Sequence, residues 1–450
     1  MQTEPAIQSG SADAALVSLR VNGRVQDATG ARIELRDTPV DIGLMNLDRR
    51  AWKRLTTMGR DGSFSFAVRV TPGRYFVVAV ARGVLLAEKV VEALAVETVA
   101  KVVTVVLMVM PDGALRCGLE NIAREQQLLP PSTTTNPPSV TTQAKPALVN
   151  AREYFYATDR ARTPATAGFG PPYYTEDLAA AGTLAFGTFF IPAPPGAPRP
   201  QPKEQPPDLF FGKLKDEIAR SPERKLLIFV HGYWSPFADA METAARLDAA
   251  LTFKGPVLLF SWPSQGGVSW RKYDAAQRRA GDASLDLRDL LDAIRERTSP
   301  AKVDIIAHSL GGQVLSGVIE AVTPARVFNQ IVLVAPDLSA DTLKRQGSDL
   351  KSTAARTTLY GSSHDCALRV SSLLHSNITT AGQVQSGMLV VPPAESVDVS
   401  GAVAGDDMLG HSYYLSRRVA DDLLKTLAGE TPLQRALPPS TTSPVYWILR

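Results

Sequence analysis

From Lys225 onward the chain repeats one pattern, a short and mainly apolar run followed by a stretch of helical length. The runs cover residues 226–230, 257–260, 303–307, 331–335, 357–360 and 396–399. Runs this short are strands, and a strand that is apolar on both faces must be covered on both. Between them Leu287, Leu290, Leu291 and Ile294 carry the spacing of a helix with one buried face. Residues 150–430 are therefore expected to form an α/β domain, with a mostly parallel sheet flanked by helices. The Pro, Ser and Thr of residues 431–450 predict a tail that is mobile or wraps the surface.

A chain of 450 residues exceeds what one core usually organises, and the upstream part has a different texture. Residues 1–15 are expected to be a flexible N-terminus. From 16 to 110 apolar and polar residues alternate in short runs punctuated by turns, with Phe64, Phe66, Val68 and Val70 pointing one way. Tyr75, Val77 and Ala79 do the same, which predicts an antiparallel β-sandwich. GRVQDATGARIEL, DGSFSF and TPGRY resemble the carboxypeptidase-regulatory-like sandwich modules. Residues 111–149, with PPSTTTNPPSVTTQAKP, cannot bury enough apolar surface to order themselves and read as a linker. A second Pro-rich stretch, 191–208, reads as an extended surface loop.

Composition removes several functions. A net charge of +3 gives no electrostatic footprint for nucleic acid. The longest apolar run, 102–110, is about half of a bilayer span and reads as a buried strand. Met1 to Gly10 shows no basic start followed by an apolar stretch, so no signal peptide is visible, and a processed product would look the same. Localisation stays open, secreted or periplasmic if a leader was removed and cytoplasmic otherwise. No metal-binding spacing and no phosphate loop occurs, so neither metal nor cofactor is expected.

The chemistry concentrates at VDIIAHSLGGQV, a strand running into Ala307-His308-Ser309-Leu310-Gly311 and then a helical pattern. This is a nucleophile elbow with Ala in the first Gly position, and Ser309 is the nucleophile it presents. An oxyanion needs two converging backbone N–H donors, expected from Leu310 and from Gly232 or Tyr233 in His231-Gly232-Tyr233-Trp234. His231 reads as a structural residue of that loop. Of five histidines, chain order leaves His411 as the base: His231 and His308 come too early, His364 adjoins the acid, and His375 reads as a helix-surface residue. Two carboxylates end successive strands. Counting strands favours Asp365 as the acid, whereas Asp337 reads as a helix cap or a pocket border. His308, Trp234, Trp262, Trp270 and Asp337 are the candidate substrate-pocket residues. Residues 262–283 form either a cap over that pocket or a solvated helix.

YFYATDR, FVHGYWSPFADA, FSWPS, AHSLGG, VAPDLSADTL, LYGSSHDCAL and GHSYY together resemble a bacterial branch of the α/β hydrolases, over about 270 residues. The resemblance implies the triad architecture and names no substrate. It leads to an expected serine esterase or lipase-like enzyme acting on a small-molecule or lipid-like ester. Two alternatives stay open: an acyltransferase using the same triad, and a non-catalytic envelope binding protein that keeps the scaffold. The sequence does not set the oligomeric state.

Overall fold

Alternation in the sequence becomes pleat. In the strand Ser63–Val70 every second residue is buried, Phe64, Phe66, Val68 and Val70, while the residues between face outward. The structure, a computed structural model, describes residues 6–7, 17–26, 40–46, 52–59, 62–70, 73–81, 84–93, 101–108, 152–163, 174–180, 182–191, 200–264, 270–321, 327–374, 379–384, 387–402 and 409–450. The chain divides into two compact units, Met1–Ala123 and Arg124–Arg450. The expected linker, 111–149, lies outside the described residues.

In the first unit, one four-stranded sheet orders Trp52–Thr57, Val40–Asn46, Gly73–Ala81 and Val84–Ala93 with antiparallel pairing throughout. The other places Val17–Gln26 antiparallel to Ser63–Val70 and parallel to Lys101–Met108. Lys101–Met108 reaches this sheet only after the chain has built the other one. No tight hairpin dictates its direction, so it runs parallel where simple alternation suggests antiparallel neighbours. Ala6–Ile7, inside the stretch expected to be flexible, pairs with the edge of Ser63–Val70.

The second unit is built on a ten-stranded sheet. Its order is Gln201–Gln205, Ala185–Phe190, Tyr154–Thr158, Val257–Ser261, Lys225–Val230, Lys302–His308, Phe328–Val334, Ala354–Gly361, Glu395–Asp398 and Trp447–Ile448. Pairing is parallel from Tyr154–Thr158 to Trp447–Ile448 and antiparallel at the other edge. The central strands send alternate residues to opposite cores. Leu226, Ile228 and Val230 meet the helices Pro207–Arg220, Trp270–Thr298 and Gly311–Ala321, whereas Leu227 and Phe229 meet Phe237–Leu251 and Arg417–Leu427. Burial on both faces explains why these strands read as unbroken apolar runs.

Three expectations change. Gln201–Gln205, within the Pro-rich stretch read as a loop, pairs along the edge of Ala185–Phe190, and Pro207 opens a helix. Residues 270–283 are the first half of one 29-residue helix, whose Tyr273, Ala276, Ala280 and Ala283 are buried in the core, so they form no separate cap. The tail 431–450 closes the sheet with Trp447–Ile448, and Arg435 is buried, 2.5 Å from Asp422 Oδ2 and bonded to Tyr360. Composition alone does not register such long-range pairing.

Candidate active site

Ser309 sits between the strand Lys302–His308 and the helix Gly311–Ala321 with φ of +54°. A non-glycine residue there is strained by about 1–2 kcal/mol, so its surroundings must hold it. They do so through the backbone: the Ser309 N–H donates to Val334 O, and the Ser309 carbonyl accepts from Gly312 and Asp337, each at 3.0 Å. A side chain at Gly311 would place its Cβ 2.6 Å from the His231 carbonyl oxygen, so the turn admits only glycine there. Leu310, fully buried, stands at the N-terminus of the helix, where backbone N–H groups point outward.

Gly232 lies against Ser309. A Cβ built on it would fall 2.6 Å from Ser309 Cβ and 3.2 Å from Ser309 Oγ. Only backbone can pass so near the hydroxyl. His231 fixes that loop. Its Nδ1 lies 2.9 Å from Gly232 O, and its Nε2 accepts from the Trp262 N–H at 3.2 Å. The Trp262 indole donates to His231 O at 2.8 Å and stacks on the ring. Burial, helped by the Arg160 charge, pulls the His231 imidazole down to about 3, so it stays neutral and structural.

The strand Ala354–Gly361 delivers Asp365, and the loop before Arg417–Leu427 delivers His411. His411 Nδ1 lies 2.9 and 2.8 Å from the two carboxylate oxygens of fully buried Asp365. An Nδ1–H donated to this carboxylate leaves Nε2 as the basic ring nitrogen. Asp365 Oδ1 also accepts the Leu368 N–H at 3.0 Å, and the Cys366 N–H donates to Leu409 O at 2.8 Å. The loops that carry Asp365 and His411 are thus bound to each other by backbone. His308 completes the junction: its ring packs 4.6 Å from that of His411, and burial, then the His411 charge, pulls its pKa well below the ordinary value. His411 therefore rests on the residue that precedes Ser309.

The remaining pocket candidates divide. Trp262 is a core residue bonded to His231, because its indole N–H finds a partner only inside the sheet-helix layer. Trp234 is half-exposed, with φ of +55°. The Trp270 side chain and His375 lie outside what the structure describes. Asp337 does not occupy the cap position, which is held by Ser339. Its carboxylate accepts from the Tyr273 hydroxyl and from Ser371 Oγ at 2.8 Å. Tyr273 in turn packs edge-on to Tyr233, with ring centroids 5.1 Å apart.

Two residues of this centre escaped the sequence reading. Arg160, wholly buried, donates from Nε to Ser261 Oγ at 3.0 Å and from its terminal nitrogens to Ser235 O at 2.6 Å and to Glu176. It therefore clamps the far end of the loop that begins at His231. Asp159 beside it is buried with neither carboxylate oxygen hydrogen-bonded, and burial, then Asp286, pushes it up to about 7. The signal was present: an acid and a base directly after the apolar YFYAT place charge where a strand enters the core. Among the described residues, no group of three or more His, Cys, Asp or Glu could hold a metal ion.

Residues 210–428 match the profile of a family described as alpha/beta hydrolase of unknown function, DUF900. No curated protein sequence matches the chain. Among solved structures, the chain is similar to an esterase from Pyrobaculum calidifontis at 12% identity, covering 55% of this chain and 81% of that one, with a TM-score of 0.29. It is also similar to a cold-adapted esterase from an Arctic intertidal metagenomic library at 12% identity, covering 54% and 89%, with a TM-score of 0.29. Over residues 210–428 the chain is similar to that family, and its mostly parallel sheet flanked by helices is the α/β-hydrolase fold.

Proposed function

We propose that this hydrolase cleaves carboxylic esters by two-step acyl transfer through Ser309. The observation that carries the reading is the bidentate approach of Asp365 to His411 Nδ1, in a loop packed on the residue before a strained Ser309. In the first step Ser309 Oγ attacks the ester carbonyl while His411 Nε2 takes its proton. The oxyanion accepts hydrogen bonds from the Leu310 N–H and from Gly232 or Tyr233. Collapse expels the alcohol, which leaves with the proton held on His411. Water then repeats the sequence on the acyl-enzyme, releasing the acid and restoring Ser309. Asp365 keeps the imidazole in one tautomer and offsets the charge it gains.

The test is hydrolysis of short p-nitrophenyl esters by the purified chain. Ser309→Ala is expected to lose about 10⁴-fold or more in kcat with its thermal unfolding unchanged. A fluorophosphonate probe should label the unaltered chain and not the variant. Undiminished turnover in Ser309→Ala would sink the proposal.

A further inference from the structure

Beside the elbow lies a cavity of about 310 Å³ that the acyl-transfer steps leave without a role. The long helix Trp270–Thr298 contributes Gln277 to its wall, the elbow helix contributes Gln313 and Glu320, and the loop after Phe328–Val334 contributes Asp337. Thr380 closes another side. The lining holds two carboxylates and no Lys, Arg or His, so its formal charge is negative, while its Gln amides and Ser and Thr hydroxyls can donate or accept.

Two of those acceptors are idle. Thr380 is 5% exposed, and its hydroxyl has no hydrogen-bond partner. Gln313 Oε1 is likewise buried and unpartnered. A buried polar atom left unpaired opposes folding, so its retention needs a reason, and a ligand that donates to it is one. The cavity is also tied to the reacting centre at two points. The Asp337 N–H donates to the Ser309 carbonyl, and Tyr273, bonded to the Asp337 carboxylate, packs on Tyr233 of the oxyanion loop.

We propose that this cavity is a substrate subsite for a donor-rich, non-anionic group, a polyol or a protonated amine, with Thr380, Gln313 and Glu320 as its acceptors. The inference rests on the ester reading above, since it supplies that site with its non-reacting half of the substrate. At about 310 Å³ the space lies at the small end of ligand pockets, enough for a short polyol or amino-alcohol chain and too little for a long acyl tail.

The experiment compares butyrate esters of glycerol, 2-aminoethanol, 1-propanol and glycolate on the full chain, with a mirrored series carrying the same groups on the acyl side. In one of the two series, KM for the glycerol or aminoethanol member should lie about fivefold or more below that for the propyl and glycolate members. The glycerol and aminoethanol arms separate a polyol from an amine. Thr380→Val and Glu320→Gln should narrow the gap, with kcat on the propyl ester unchanged. Because the Thr380 hydroxyl is unpartnered, Thr380→Val should not lower the melting temperature. Equal KM values in both series, a preference for the propyl or glycolate members, or an unaltered preference in Thr380→Val overturns the subsite. A non-hydrolysable ether, 1-O-butylglycerol, reads the cavity without chemistry by calorimetry. Binding that Thr380→Val weakens, in a chain that hydrolyses no ester, would reject the ester reading and keep the cavity. Absence of binding beside active hydrolysis and flat KM values would reject the cavity alone.

Discussion

The two flanks of Ser309 are built on opposite electrostatic terms. On the imidazole flank a single buried carboxylate faces a histidine whose side chain keeps 16% of its exposure. On the Gly232 flank His231 is buried and neutral, locked by Trp262 and Gly232, with the Arg160 guanidinium behind it. The first histidine has one strong partner and keeps contact with solvent, and the second is buried and held neutral. A group that must titrate needs water and one strong partner. A group that must stay still needs many fixed partners and a low dielectric.

The sharpest way to break this contrast is to weaken the single partner. Asp365→Asn should lower kcat by about 10⁴-fold with little change in stability, measured by ester hydrolysis beside thermal unfolding. Turnover near normal would move the acid to another carboxylate. On the opposite flank, Gly232→Ala should cost about 10²–10³-fold in kcat, since its methyl would strike Ser309 and displace a donor. A smaller loss would mean that the oxyanion lies elsewhere.

Asp337→Asn tests whether successive strand ends are equivalent. The amide keeps one acceptor for the two hydroxyl donors of Tyr273 and Ser371, so stability should fall by about 1–3 kcal/mol. KM should rise several-fold while kcat stays within a few-fold. A folded but dead variant would make Asp337 the acid.

The smallest effect concerns Asp159. An acid raised from 3.8 to about 7 holds its proton in the folded chain after the unfolded chain has released it. Its contribution to stability is therefore full below pH 3.8 and is lost as pH rises to about 7. Asp159→Asn keeps the uncharged form, so its melting temperature should gain on the unaltered chain by several degrees between pH 5 and pH 8. A gap that does not widen would show that the carboxylate is ionised throughout. His231 runs the other way, with stability full above 6.5 and lost as pH falls toward about 3.

The sheet was legible because its strands are apolar on both faces, and the candidate centre because an elbow and chain order narrow the choices. Ser309 and Asp365 closely follow the ends of their strands, while His411 comes in a longer loop after Glu395–Asp398 and is reached by chain order. What stayed hidden depends on partners far apart in sequence. Tyr273 and Asp337 meet across 64 positions, and Arg160 reaches Ser261 across 101. Trp262 read as a pocket wall since an aromatic beside a turn suits either place, and only the His231 carbonyl decides. The tail reads as mobile or wrapping the surface; it packs on the fold, and Arg435 meets Asp422 and Glu395 there.

Arg160 also sets how small this enzyme can be made. The family match begins at residue 210, yet the clamp on the oxyanion loop and the strands Tyr154–Thr158, Ala185–Phe190 and Gln201–Gln205 all come earlier. A fragment cut at 210 would leave Val257–Ser261 as a bare edge, its unpaired N–H and C=O groups open to other chains. Arg152, bonded to Asp248 at 2.8 Å, marks the outer limit of that dependence. A portable version must begin ahead of it, and transplanting the Ser309 elbow with its two loops alone would carry the reactive groups away from what aims them.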